Sequence, residues 1–249
     1  MMSVKDYQKY GEEFKRWLLL RGSPIAVKML EKEEDIPEGA IRPKQDRGYH
    51  LAQCQAFALS RRQKETVAML KEDHWCFAPL MAYGLVEDPN DEFVNATTSF
   101  PCFELGRYIG MVTAPLEATV FEPDMVLIYA EPGQVRNLLM AVKFGDKSLV
   151  TSVFDPIDSC THSVVPVIES GEYRITIPDP GEYARAATRD DMLIFSIPKE
   201  KISSIVSSLK LIKEGERKGP AFHHIEMRPD FPQPEFYQRL FKKWGLDTE

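Results

Sequence analysis

The chain has 249 residues, 43% of them hydrophobic and 28% charged, and carries a net charge of −7. That is enough chain for one large domain or two small ones, and the acid surplus argues against nucleic acid as a general partner. Apolar runs such as Met125–Ala130 and Met192–Ile197 are too short to cross a bilayer. The opening Met-Met-Ser-Val-Lys-Asp-Tyr lacks the apolar core of a secretory signal, so no membrane association and a cytoplasmic location are expected.

In chain order, residues 4–21 read as an amphipathic helix, because Tyr7, Tyr10, Phe14, Trp17 and Leu18 recur every three or four positions. Gly22-Ser23-Pro24 stops it, and Pro24–Leu30 reads as a strand. The charged, Pro/Gly-punctuated stretch 31–48 suggests an exposed loop. His50–Arg62 follows as a helix, which would set His50 and Cys54 on neighbouring turns where they could share a ligand. Glu65–Leu70 suits a strand. Cys76–Leu85 reads as a short apolar helix ending at Gly84, whose first N–H groups would favour a thiolate at Cys76. Residues 87–103 are polar and irregular, and Arg107–Thr119 reads as strand and turn.

Met125–Ala130 is a continuous apolar run, as a central buried strand should be. Pro132 opens a helix that runs to about Phe144. Ser148–Val153 is a candidate strand, and Cys160–Glu169 a helix capped by Asp158 or Ser159 and ended by Gly171. Tyr173–Ile177 and Met192–Ile197 read as strands, and Lys199–Leu211 as a final amphipathic helix. Beyond residue 215 come Pro220, Pro229, Pro232 and Pro234, then an amphipathic stretch, Glu235–Trp244. The expected architecture is α+β: a mixed sheet flanked by helices in a single domain over 1–249, with a body of about 1–214 and an extended arm over 215–249.

Three of the four cysteines have a histidine within four residues: His50/Cys54, His74/Cys76 and Cys160/His162. Thiolate and imidazole are the best side-chain ligands for soft and borderline metals, and together they also form the pair used in cysteine catalysis. No CxxC is present, so neither a zinc knuckle nor a thioredoxin-like pair is encoded locally. A metal centre would have to be assembled by the fold.

Cys54, then Cys76-Phe-Ala-Pro-Leu-Met-Ala-Tyr-Gly-Leu85, resembles an element of the domain of unknown function 169 family, frequent in archaea and anaerobic bacteria. Pro24-Ile-Ala-Val-Lys28, Pro123-Asp-Met-Val-Leu127, Pro132-Gly-Gln134, Pro180-Gly-Glu-Tyr-Ala-Arg185 and the segment Asp191…Phe195-Ser-Ile-Pro198 match as well, so the resemblance spans roughly residues 24–212. It implies no assigned activity. It does imply that Cys54, Cys76 and Cys160 stand where the family has cysteine. Ala78-Pro79 stands where the family usually has a glycine, and Cys102 lies in a segment without a match.

The leading expectation is therefore a thiolate-ligated metal centre, an iron–sulfur cluster of the 4Fe-4S kind, held by Cys54, Cys76 and Cys160. Cys102 or His162 would be the fourth ligand. Two alternatives stand beside it: a metal-free small-molecule binder whose cysteines are core residues, and a cysteine-nucleophile enzyme built on Cys160 with His162, His50, His74 or His223. Arg185 is the candidate anchor for a small anionic substrate. A homodimer is suggested by the aromatic first helix and the aromatic tail. The common phosphate-cradling glycine loops are missing, and the neighbours His223 and His224 read as exposed tail residues.

Overall fold

A computed structural model describes residues 2–92, 94, 99–218 and 235–245. The aromatic stripe of the first helix, α1 (Val4–Leu18), sets the layering. Tyr7, Phe14, Trp17 and Leu18 are buried along one face, and Leu19 ends the helix in a left-handed conformation. This face packs on the protein's own sheet, where it joins Ala26, Leu30, Val126 and Ile128 in one hydrophobic cluster. The helix also presses on the turn Leu116–Ala118, so closely that a Cβ at Gly11 would stand 2.4 Å from the Glu117 backbone nitrogen.

Six strands form the sheet: β1 (Ile25–Leu30), β2 (Val67–Leu70), β3 (Gly110–Pro115), β4 (Met125–Ala130), β5 (Arg174–Thr176) and β6 (Leu193–Pro198), in the order β2-β3-β1-β4-β6-β5. Every ladder between these strands is antiparallel. Among the described residues parallel pairing is confined to two isolated bridges, Ile41 with Val67 and Leu51 with His74. The α+β class expected from the sequence is the class the chain adopts.

The inner strands β1 and β4 are apolar on both faces because both faces are covered. Ala26, Leu30, Val126 and Ile128 face α1, α5 (Pro132–Gly145) and α9 (Ile202–Lys218). Ile25, Val27, Met125, Leu127 and Tyr129 face the other way, into a second cluster with Phe57, Tyr83, Cys160 and Val165. The cysteine-bearing segments lie on this second face. They are α3 (Gln53–Ala58), α4 (Phe77–Ala82) and α6 (Ser159–His162); α7 (Val165–Ser170) follows them.

Several local expectations are corrected. The helix expected over His50–Arg62 begins only at Gln53 and widens into a π-turn over Leu59–Gln63, because Leu51 donates its N–H to the Asp73 carbonyl and accepts the Trp75 N–H, which holds the residues before Gln53 extended. Ser148–Val153 forms no strand. The helix expected over Cys160–Glu169 is two, broken at Ser163–Val164, with Pro166 in the first turn of the second and a left-handed Gly171 at its end. The loop 31–48 contains α2 (Pro43–Arg47), opened by its proline.

The chain divides into two units, Met1–Gly215 and Glu216–Glu249. In the second, α10 (Glu235–Lys243) is strongly amphipathic, with Phe236 and Tyr237 in edge contact at 4.4 Å. Among the described residues no helix is long and apolar enough to cross a membrane. His223 and His224 lie outside the described residues.

Candidate functional site

The site is built around a helix between β5 and β6, in a stretch to which the sequence assigned no element. α8 (Pro180–Ala186) starts because Asp179 caps it, accepting the Glu182 N–H at 2.9 Å, and because Pro180 presets the first turn. The other Asp179 oxygen accepts the backbone N–H of Ser159 at 2.9 Å and its hydroxyl at 3.0 Å. One carboxylate thus ties the start of α8 to the start of α6, which carries Cys160. α8 also packs on α3, where the Cys54 thiol lies 4.0 Å from the Gly181 carbonyl.

The result brings three sequence-distant cysteines to one corner. Cys54 and Cys76 share a small apolar cluster with Ala52, Ala58 and Ala186, and Cys160 lies within electrostatic range of both. Tyr83, fully buried, feels all three thiols and donates its hydroxyl to the Cys160 carbonyl at 3.0 Å. Burial pushes every one of these thiols up: Cys54 to about 12, Cys160 well above its ordinary value, and Cys76 less. Cys76 caps α4, and the Ala78 N–H and Arg185 do favour its thiolate, but desolvation outweighs them.

Arg185 belongs to this corner. Its guanidinium reaches the Cys54 thiol, stands 4.9 Å from the Trp75 ring centroid and folds over Gly181, where a Cβ would meet it at 2.1 Å. Arg185 is exposed, as are Trp75 and Phe77 on either side of the half-buried Cys76. The thiols therefore run from a solvent-facing mouth at Cys76 and Arg185 to the buried Cys54 and Cys160.

Beneath them lies a polar network that sequence reasoning missed. Glu182 is fully buried and accepts hydrogen bonds from Tyr129 at 2.7 Å, Ser159 at 3.1 Å and Thr188 at 2.9 Å. Its counter-charge is Arg61, also buried, whose guanidinium lies on the Tyr129 ring and reaches Thr188 at 3.5 Å. Burial raises the Glu182 carboxyl and lowers the Arg61 guanidinium, the desolvation expected of both. The signal for Glu182 was present as Asp179-Pro180-x-Glu182, a helix start with its acid at the third position. Nothing in the sequence singled out Arg61 or Tyr129.

The other expected ligands are elsewhere. Cys102 is exposed and lines a separate hollow of about 350 Å³ with Met81, Val86 and Phe103. The His162 ring lies 3.7 Å from Asp155, its nitrogens buried without hydrogen-bond partners, and burial lowers its pKa. His50 is exposed and precedes α3, so it does not stack one turn from Cys54. His74 is buried with neither ring nitrogen bonded, sits edge-on to Tyr83 at 6.5 Å, and is pushed down to about 4. Gln53, beside Cys54, has both amide atoms buried and unpartnered. Among the described residues no three His, Cys, Asp or Glu side chains are set closely enough to grip a metal ion.

Residues 13–208 match the profile of DUF169, an uncharacterised family also termed ArCR. The chain belongs to the DUF169 family. The match covers α3, α4, α6 and α8, hence every residue of the corner just described. The uncharacterized protein MJ0308 of Methanocaldococcus jannaschii is 21% identical over 232 residues, covering 86% of this chain and 97% of that protein. No solved structure matches.

Proposed function

We propose that this DUF169 protein carries a polynuclear thiolate-ligated metal centre, an iron–sulfur cluster, on Cys54, Cys76 and Cys160. The observation that carries the reading is the gathering of three thiols from three separate segments at one half-open corner, with Cys102 and His162 excluded from it. A single ion needs sulfurs at about 2.3 Å from it, and among the described residues no group of His, Cys, Asp or Glu is set to hold one. Bridged clusters accept thiolates from a wider triangle and from distant segments.

Three thiolates leave one position without a protein thiol, and a cluster so held can supply Lewis-acid or one-electron chemistry. The protein's own part is then definite. Arg185, at the mouth, offers a guanidinium to a carboxylate or phosphate of a small anionic substrate. Tyr83 fixes α6 against α4, and Glu182 with Asp179 holds α6 and α8 in register. Ligation must strip three protons from raised thiols, so loading is favoured by alkaline pH. The reading places the protein in a reducing cytoplasm, where such thiols stay free.

The test is iron, acid-labile sulfide and absorption analysis of protein purified without oxygen. We expect a brown protein whose iron is lost in Cys54→Ser, Cys76→Ser and Cys160→Ser and kept in Cys102→Ser and His162→Ala. Colourless protein that binds no iron after anaerobic reconstitution overturns the reading. It would favour the second one, a metal-free binder of a small acid at Arg185, with the unpartnered Gln53 amide offering a donor and an acceptor beside Cys54. A nucleophilic cysteine finds no support in thiols that are all pushed up.

A further inference from the structure

Three neighbouring hollows that share lining residues form a groove at the end of β1, the end of β2 and the turn after α4. Its main hollow, about 620 Å³, shares Gly84 and Leu105 with the Cys102 hollow. It shares Glu31, Lys32 and Tyr108 with a third hollow of about 290 Å³ that ends at Asp124. Gly84 is in a left-handed conformation, and a Cβ there would stand 2.5 Å from the Glu104 carbonyl oxygen, so the turn that shapes the groove requires glycine.

The floor is apolar: Leu70, Leu85, Leu105, Tyr108 and Ile109, with Leu105 53% exposed. The walls are acidic. Four carboxylates line the main hollow and two more line each of the others, against three lysines in all. Glu72 is neutralised by Arg42, and Asp124 is faced by Lys199 at 4.0 Å. Glu31, Glu33, Glu34, Asp35 and Glu87 form no ion pair among the described residues. An apolar floor, open to solvent at Leu105 and in part at Leu85 and Ile109, between carboxylates without ion pairs is complementary to a chain that alternates apolar and basic residues.

We propose that this groove docks an extended segment of a partner protein in which Lys or Arg alternates with apolar side chains. The run of three linked hollows suits a chain better than a compact molecule, and the charge selects a cationic one. α4 connects the two regions along the chain: Cys76 of the thiol corner caps its start, and Gly84 of the groove follows its end. The inference does not depend on a metal being bound.

The probe is a fluorescein-labelled peptide of six Lys-Leu repeats, followed by anisotropy on the full chain at about 0.15 M salt. We expect saturable binding that weakens about tenfold in Glu31→Gln/Glu33→Gln/Glu34→Gln, three exposed charges being worth about 1.4 kcal/mol together. Leu105→Ser should weaken it with the charge unchanged. The control Glu12→Gln/Asp190→Gln/Glu200→Gln, which removes as much charge outside the groove, should bind like wild type. Equal loss in groove and control variants, displacement by spermidine at equal charge, or no binding overturns the proposal. Circular dichroism of each variant separates loss of docking from loss of fold.

Discussion

The guanidinium of Arg61 lies 3.9 Å from the ring centroid of Tyr129, and the Tyr129 hydroxyl donates to Glu182 at 2.7 Å. A cation, a phenol and a carboxylate thus share the buried layer beneath the thiols, and none has water to fall back on. Removing Glu182 strands Arg61 and unpairs Tyr129, Ser159 and Thr188. Glu182→Ala should lower unfolding stability by about 3–5 kcal/mol in urea titrations, with Tyr129→Phe losing about 1–2 kcal/mol. Equal effects of the two substitutions would mean that the charge is not what the network compensates.

Asp158 has a left-handed backbone and stands among Asp155 and Asp179; burial first, then these two neighbours, raise its carboxyl to about 6. A carboxyl raised in the folded state favours folding below its unfolded value near 4, and this advantage is lost as pH rises through about 6. Asp158→Asn, which tolerates the same backbone, should be the more stable protein above pH 6, by about 1 kcal/mol after solvent screening of a partly exposed group. Its stability should not fall between pH 4 and 6 on that account. Chemical denaturation at pH 4, 5, 6 and 7 measures the difference.

His74 works in the opposite sense. Buried neutral and pushed down to about 4, it makes the folded state resist protonation, so stability is lost as pH falls from about 6.5 toward 4. The contribution is about 3 kcal/mol at full protonation. His74→Gln should flatten this part of the acid limb, and an unchanged limb would show that the imidazole is reached by water.

Without metal, thiol reactivity should follow exposure. Cys102, exposed, should be alkylated by iodoacetamide at pH 8 about tenfold or more faster than Cys54 and Cys160, whose thiols burial holds protonated. Cys76, at the mouth, should fall between. Peptide mass spectrometry over time gives the order, and early loss of Cys54 would place the corner open.

Gly11 permits the contact between α1 and the turn at Glu117. Gly11→Ala should cost about 2–3 kcal/mol through overpacking against backbone that cannot move aside, despite alanine's better helix propensity. Thermal melts should show a drop of several degrees.

Much of the scaffold was legible. The spacing of Tyr7, Phe14 and Trp17 marked α1, the unbroken Met125–Ala130 marked the inner strand β4, and Pro132 marked the start of α5, because local periodicity and backbone restriction act within a few residues. The same locality explains the failures. His50 is four residues from Cys54, yet the bridge between Leu51 and His74 keeps it outside the helix. Arg185 sat in a stretch to which no element was assigned, because the packing of α8 on α3 is invisible to any window of sequence.

By itself, then, the sequence determined the α+β class, the unbroken apolar run that lets β4 be buried on both faces, and the thiols available for chemistry. Only the tertiary structure decided which of them meet. Cys54, Cys76 and Cys160 are drawn together by short helices on one face of the sheet: α3 packs on α8, the Asp179 carboxylate ties α8 to α6, and Tyr83 at the end of α4 bonds the Cys160 carbonyl. Cys102 is exposed and the His162 ring faces Asp155. Side-chain convergence depends on contacts between residues tens of positions apart, and those are set by burial and desolvation over the whole fold rather than by the propensities of neighbours.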